Sequence, residues 1–162
     1  MNQVAGHAAM RPTATALRYR GVDTTWSDLH ARTTAGAAAL ARRGVQFGDR
    51  VLLLTLNSPE VIEAVLAVNT LGAIAVPINI RLAPPEIGYI VDDADADVLI
   101  VDQLLAPLVP AIADVTSRLQ RVIVLGEAGP GHEAWADLLT EDLGGFVAPD
   151  VPESTCSLIM YT

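Results

Sequence analysis

The chain has 162 residues, 51% hydrophobic and 18% charged, which is enough apolar material for one globular domain with its own core and too much for a disordered segment. A formal net charge of −9 repels phosphate backbones and argues against nucleic acid as a partner. All ten basic residues are arginine, so no reaction that needs a lysine can be completed by these residues alone.

At the start, Val4 and Met10 are placed to anchor a short helix. The opening MNQVAGHAAMRP has neither the basic region nor the apolar centre of a secretory signal. ALRYRGVDTTW predicts a hairpin with Gly21 and Asp23 at its turn and Thr25-Trp26 on the return. Ser27 is the expected N-cap of a helix whose inner face is Leu29, Thr33, Gly36, Ala37, Leu40 and Ala41. Arg42 and Arg43 suit its negative end, and Gly44 stops it. After the Gly48-Asp49 turn, Val51 to Leu56 is an almost unbroken apolar run, as in a parallel strand covered on both faces. Asn57 or Ser58 then caps a helix with Pro59 in its first turn and Glu60 at its positive end, running to about Leu71 before Gly72.

The cycle repeats. AIAVPIN, DVLIVD and RVIVL are strands, and a helix begins at Pro84 or Pro85. QLLAPLVPAIADVTSRL is helical in pieces, broken by Pro107 and Pro110, and HEAWADLLT is a short helix. Residues 144–154 form a linker-like loop, and CSLIMY is the last strand. Residues 64–80 are uncharged, but Asn69, Thr70, Gly72, Pro77 and Asn79 interrupt them, and a membrane span needs ~20 residues. The pattern predicts an α/β fold: a mainly parallel sheet flanked by helices, with an N-terminal β-hairpin.

Candidate chemistry is sparse. His7, His30 and His132 lie far apart with no partner at metal-ligand spacing, and His30 reads as solvated on a helix surface. DDADAD alternates acids as a calcium loop does. Counted from Asp93, however, Val98 and Leu104 stand where that loop needs Gly and Glu, so it reads as a polar turn. Cys156 is the single cysteine, so no internal disulfide forms, which suits a reducing compartment. Its apolar neighbours make it a buried strand residue rather than a nucleophile. Ser58 lacks the glycines of a nucleophile elbow and reads as a helix cap. GEAGPG follows a strand, but Pro130 removes a backbone donor, so a surface loop is favoured over a weak anion site. Neither Gly-x-x-x-x-Gly-Lys nor Gly-x-Gly-x-x-Gly occurs, which counts against a free-standing nucleotide binder.

Several segments in order resemble one family. TTWSDL, GVQFGDRVLLLTLNSPE, LGAIAVPINIRLAPPEIGYIVDDADADVLIVD and LIMYT, together covering about Thr24 to Thr162, are similar to the start of the large domain of acyl-CoA synthetases, which are adenylate-forming enzymes. In that family LIMYT leads into a phosphate loop continuing Tyr-Thr-Ser-Gly-Thr-Thr-Gly. The resemblance implies that residues 1–162 are an incomplete N-terminal AMP-binding domain. It implies Thr162 as a nucleotide-binding residue, with Tyr161 as its strand neighbour, and no catalytic or metal-binding residue within the chain.

The implied parent enzyme converts a carboxylate and ATP to an acyl-adenylate and then to a CoA thioester. ATP, Mg2+ and CoA are expected for that parent and none on residues 1–162 alone, which are expected to be inactive. Family frequency suggests a fatty acid as substrate; the expected location is cytoplasmic, with peripheral membrane attachment as the alternative. The alternative is a truncated, non-catalytic binding module that forms a homodimer through unpaired sheet edges.

Overall fold

The computed structural model describes residues 3–162; Met1 and Asn2, which open the stretch read for a secretory signal, lie outside the described residues. Helix α1 (Gln3–Met10) is anchored by buried Val4, whereas Met10 is 75% exposed and anchors nothing. Strands β1 (Thr15–Tyr19) and β2 (Val22–Thr25) form the expected antiparallel hairpin. Its turn is Arg20-Gly21, with φ of 50° and 82°, so both central residues are left-handed as a two-residue type I′ turn requires. Asp23 is therefore not a turn residue. It stands in β2 opposite Arg18, and its carboxylate accepts Arg18 Nε and Nη2 at 2.5 and 2.6 Å.

Helix α2 (Trp26–Arg42) begins earlier than expected, because Thr25 rather than Ser27 is the N-cap. The Thr25 backbone is still extended at the end of β2, and its Oγ1 accepts the Asp28 N–H at 3.1 Å.

Among the described residues the central sheet has five parallel strands: β3 (Arg50–Leu54), β4 (Ile74–Pro77), β5 (Val98–Asp102), β6 (Arg121–Leu125) and β7 (Glu133–Ala134). Their order is β4-β3-β5-β6-β7. Helices α3 (Pro59–Thr70), α4 (Pro84–Asp93), α5 (Val109–Ala113) and α6 (Trp135–Leu138) complete the architecture. The period of two along β3 divides the core. Val51 and Leu53 enter one cluster with Leu40, Ala64, Ala67, Val68, Trp135 and Leu138, so α2, α3 and α6 cover that face. Leu52 and Leu54 enter the other with Ile87, Ile90, Val91, Val109 and Ile112, so α4 and α5 cover the opposite face. Both faces being covered explains why the strands read as continuous apolar runs.

Two local features depart from the sequence pattern. HEAWADLLT opens with β7, paired to Ile123 and Val124, and turns helical only at Trp135. CSLIMY is not a strand: it makes one isolated bridge, Ala75 to Leu158. Ala75 N–H donates to Ser157 O at 3.1 Å and Ile159 N–H donates to Ala75 O at 3.0 Å. In a parallel ladder the next donor on that side of β4 is two residues on, at Pro77, which has no N–H. The ladder ends there, and Leu158 and Met160 stay 43% and 67% exposed.

Arg50 ties the amino ends of the sheet together. Its Nε donates to Ala94 O at 2.5 Å, its Nη2 to Asp95 O at 2.6 Å and its Nη1 to Gly48 O at 3.0 Å. A cation thereby meets the free carbonyls at the carboxyl end of α4.

Candidate functional site

The sequence points to the last segment, and the structure shows how it is held. Thr155 N–H donates to Pro152 O at 3.0 Å, closing a turn out of the 144–154 loop. The chain then meets the outer edge of β4 at Ala75 and departs after Ile159. Ile159 and Tyr161 are half-buried against the α4 side of the core. The Tyr161 hydroxyl donates to Asp93 Oδ2 at 2.7 Å. Burial, and then that bond, push the Tyr161 phenol up to about 12. Thr162 follows, exposed. Tyr161 and Thr162 are thus joined to α4 through a carboxylate that sequence reasoning placed only in a polar turn.

The other candidates separate. Cys156 is exposed rather than buried, and its Sγ lies 3.5 Å from Leu158 O. His30 is half-buried rather than solvated, and its Nδ1 is buried without a hydrogen-bond partner. His7 lies against Trp26, ring centroids 4.4 Å apart, beside Arg11. Among the described residues no group of three His, Cys, Asp or Glu side chains is arranged to hold a metal ion. Ser58 is the N-cap of α3 by position but makes no side-chain capping bond. The GEAGPG loop is held by Gln103, whose Oε1 accepts the Glu127 N–H at 2.8 Å.

An open polar cleft of about 440 Å³ is lined by Asp49, Arg50, Asp95, Asp97, Arg118 and Gln120. It lies at the amino ends of β3, β5 and β6, whereas ligands of open α/β sheets collect at the carboxyl ends. Both of its arginines pair with Asp95.

Two charged networks brace the helices on the first face. Glu63, 2% exposed, accepts Arg32 Nε at 2.5 Å, Arg32 Nη2 at 3.0 Å and the Trp135 indole N–H at 3.2 Å. The signal for it was a carboxylate four residues before Ala67, on the apolar face of α3. At the far end of α2, Arg43 pairs with Glu133 at 2.5 Å and Glu141 at 2.7 Å, and Arg42 pairs with Glu141 at 2.6 Å.

These hydrogen bonds hold the Glu133 carboxyl low, and Arg43 and then Arg42 hold Glu141 at about 2. A carboxylate depressed in the folded state contributes stability that is present above its unfolded value of 4.5 and is lost as pH falls towards 2. The urea midpoint is expected to fall over that window. Arg43→Met should lower the midpoint at neutral pH and flatten the acid limb. Superimposable acid limbs in the two proteins would mean that these pairs contribute nothing.

The sequence matches the AMP-binding enzyme family over residues 4–162. The chain belongs to that family. A feruloyl-CoA synthase of Amycolatopsis sp is 40% identical over 158 residues, which is 96% of this chain and 29% of that protein. A long-chain-fatty-acid–CoA ligase of Thermus thermophilus is 35% identical over 140 residues, 86% of this chain and 25% of that protein. Among solved structures, an anthranilate CoA ligase in complex with anthranoyl-AMP superposes with a TM-score of 0.87 at 32% identity, covering 94% of this chain and 30% of that one. The chain therefore spans less than a third of the length of these AMP-binding relatives. Among the described residues of this family member, no helix is long and apolar enough to cross a membrane.

Proposed function

We propose that residues 1–162 contribute the opening part of the nucleotide-binding domain of an AMP-forming acid–thiol ligase. The observation that carries this is the family match over residues 4–162, which runs to the end of the Tyr161-Thr162 segment. In this reading Thr162 binds nucleotide, offering its hydroxyl and backbone N–H to a phosphate. Residues 144–154 act as the linker that delivers it. The whole protein uses ATP, Mg2+ and CoA. A carboxylate attacks the α-phosphate, pyrophosphate leaves, and the CoA thiol then displaces AMP. The metal and backbone donors offset the charge that builds on the phosphates. Every lysine needed must lie outside residues 1–162, which contain none.

The acid is proposed to be a fatty acid. The Thermus relative supports this, while other relatives are named for aromatic acids. The test is carboxylate-dependent exchange of pyrophosphate into ATP, run with a panel of fatty and aromatic acids. The expected result is no exchange by residues 1–162 alone and exchange, fastest with fatty acids, by the product of the whole coding sequence. Exchange with aromatic acids only would remove the fatty-acid assignment. Binding of a dinucleotide by residues 1–162 in calorimetry would remove the ligase reading.

One observation favours a second reading, a dimerisation module: the outer edge of β4 carries a single bridge beside exposed Leu158 and Met160. Light scattering at micromolar concentration separates the two, since the ligase reading expects no dimer through this edge.

A further inference from the structure

We infer that Asp93 is a latch residue: through the Tyr161 hydroxyl it holds the 157–162 segment against α4 where the β4 ladder cannot. Pro77 limits the ladder, because it has no N–H to donate. Ile159 O has no N–H to accept from at the next ladder position, so backbone bonding to the sheet stops one step after it begins. Upstream, the 144–154 loop contains no helix or strand. Beyond Ile159, the contacts that hold the segment among the described residues are the Tyr161 ring against the core and its 2.7 Å bond to Asp93 Oδ2.

Asp93 is well placed for this. It is the last residue of α4, in a turn fixed by Arg50 on the Ala94 and Asp95 carbonyls. Its neighbour Asp92 is already engaged, accepting Thr116 Oγ1 at 2.5 Å, so the two adjacent carboxylates have separate partners. A phenol donating to an ionised carboxylate is stronger than a neutral hydrogen bond. Tyr89, one turn earlier on α4, and Arg50 are the other titratable groups acting on Tyr161. Under the ligase reading, on which the inference rests only for the role of Thr162, Asp93 is a positioning residue for the nucleotide site.

The test is amide hydrogen exchange by NMR on the 162-residue chain, its Asp93→Asn and its Tyr161→Phe variants. The Ile159 amide is expected to exchange about tenfold faster in both variants, with the Leu53 and Ile100 amides unchanged. A second readout follows the tyrosine rings. In the parent chain the Tyr161 phenol titrates at about 12, and in Asp93→Asn it moves down towards the ordinary value of about 10. Unchanged Ile159 exchange in either variant overturns the latch. Faster exchange in Tyr161→Phe alone would assign the holding to the hydroxyl without Asp93, and also overturns it. If core amides quicken too, the titration decides: a Tyr161 phenol at the ordinary value in the parent chain rules the latch out. None of these readouts involves nucleotide, so absence of carboxylate-dependent pyrophosphate exchange by the product of the whole coding sequence would remove the ligase reading and leave the latch standing.

Discussion

Glu63→Ala should lower the free energy of unfolding by about 2–4 kcal/mol, the cost of leaving a buried donor without an acceptor plus that of the space vacated. The partners left behind respond differently. The Arg32 side chain is 42% exposed and can turn to water once its carboxylate is gone. Trp135 cannot: it is 1% exposed, and its indole N–H would be left in the core without an acceptor. The larger part of the cost therefore falls on the indole and on the space vacated by the carboxylate. Glu63→Gln keeps an acceptor for the indole and should cost about 1–2 kcal/mol. Urea denaturation of both variants at neutral pH measures the difference. A loss below about 1 kcal/mol for Glu63→Ala would mean that the network behaves as an exposed ion pair.

Trp135→Ala is expected to cost about 3–5 kcal/mol, as for other buried aromatic truncations. It also exposes why position 36 is glycine. A Cβ at Gly36 would lie 2.6 Å from Trp135 Cη2, 2.8 Å from Cζ2 and 3.1 Å from Ala67 Cβ. Alanine in mid-helix normally gains about 1 kcal/mol over glycine. Here overpacking against a fixed ring costs about 1–3 kcal/mol, so the clash wins and Gly36→Ala destabilises the parent. With Trp135 truncated the ring contacts are gone and only the 3.1 Å approach to Ala67 Cβ remains, so the same substitution should stabilise, by somewhat less than about 1 kcal/mol. The reversal of sign in a double-mutant cycle is the discriminating result. Gly36→Ala that is neutral in both backgrounds would mean that α2 moves freely over α6.

Much of this architecture was legible in the chain order. Val51–Leu54, Val98–Val101 and Val122–Leu125 are apolar at consecutive positions, which only a strand covered on both faces tolerates. Pro59 and Pro84 mark helix starts, because a missing N–H costs nothing in a first turn. The exceptions are local competitions. Thr25 capped α2 in place of Ser27 because β2 runs straight into the helix, and Arg20 took the left-handed position that leaves Asp23 free to pair with Arg18. The candidate site was legible as a segment, SLIMYT, by its likeness to a family, but its geometry was not.

What the sequence by itself determined is therefore the class of fold and the order of its elements, since periodicity and helix boundaries depend on residues within a few positions of one another. Tertiary structure alone decided the pairings that cross the chain. Glu63 and Trp135 are 72 residues apart, and Asp93 and Tyr161 are 68 apart. The fate of the last segment shows the reason. Pro77 was visible from the start, yet its missing donor matters only because the phase of β4 turns Ala75 and Pro77 towards the tail rather than towards β3. That phase is set by the register of β3 on β4, and so the apolar run of residues 157–162 meets this edge through a single bridge among the described residues.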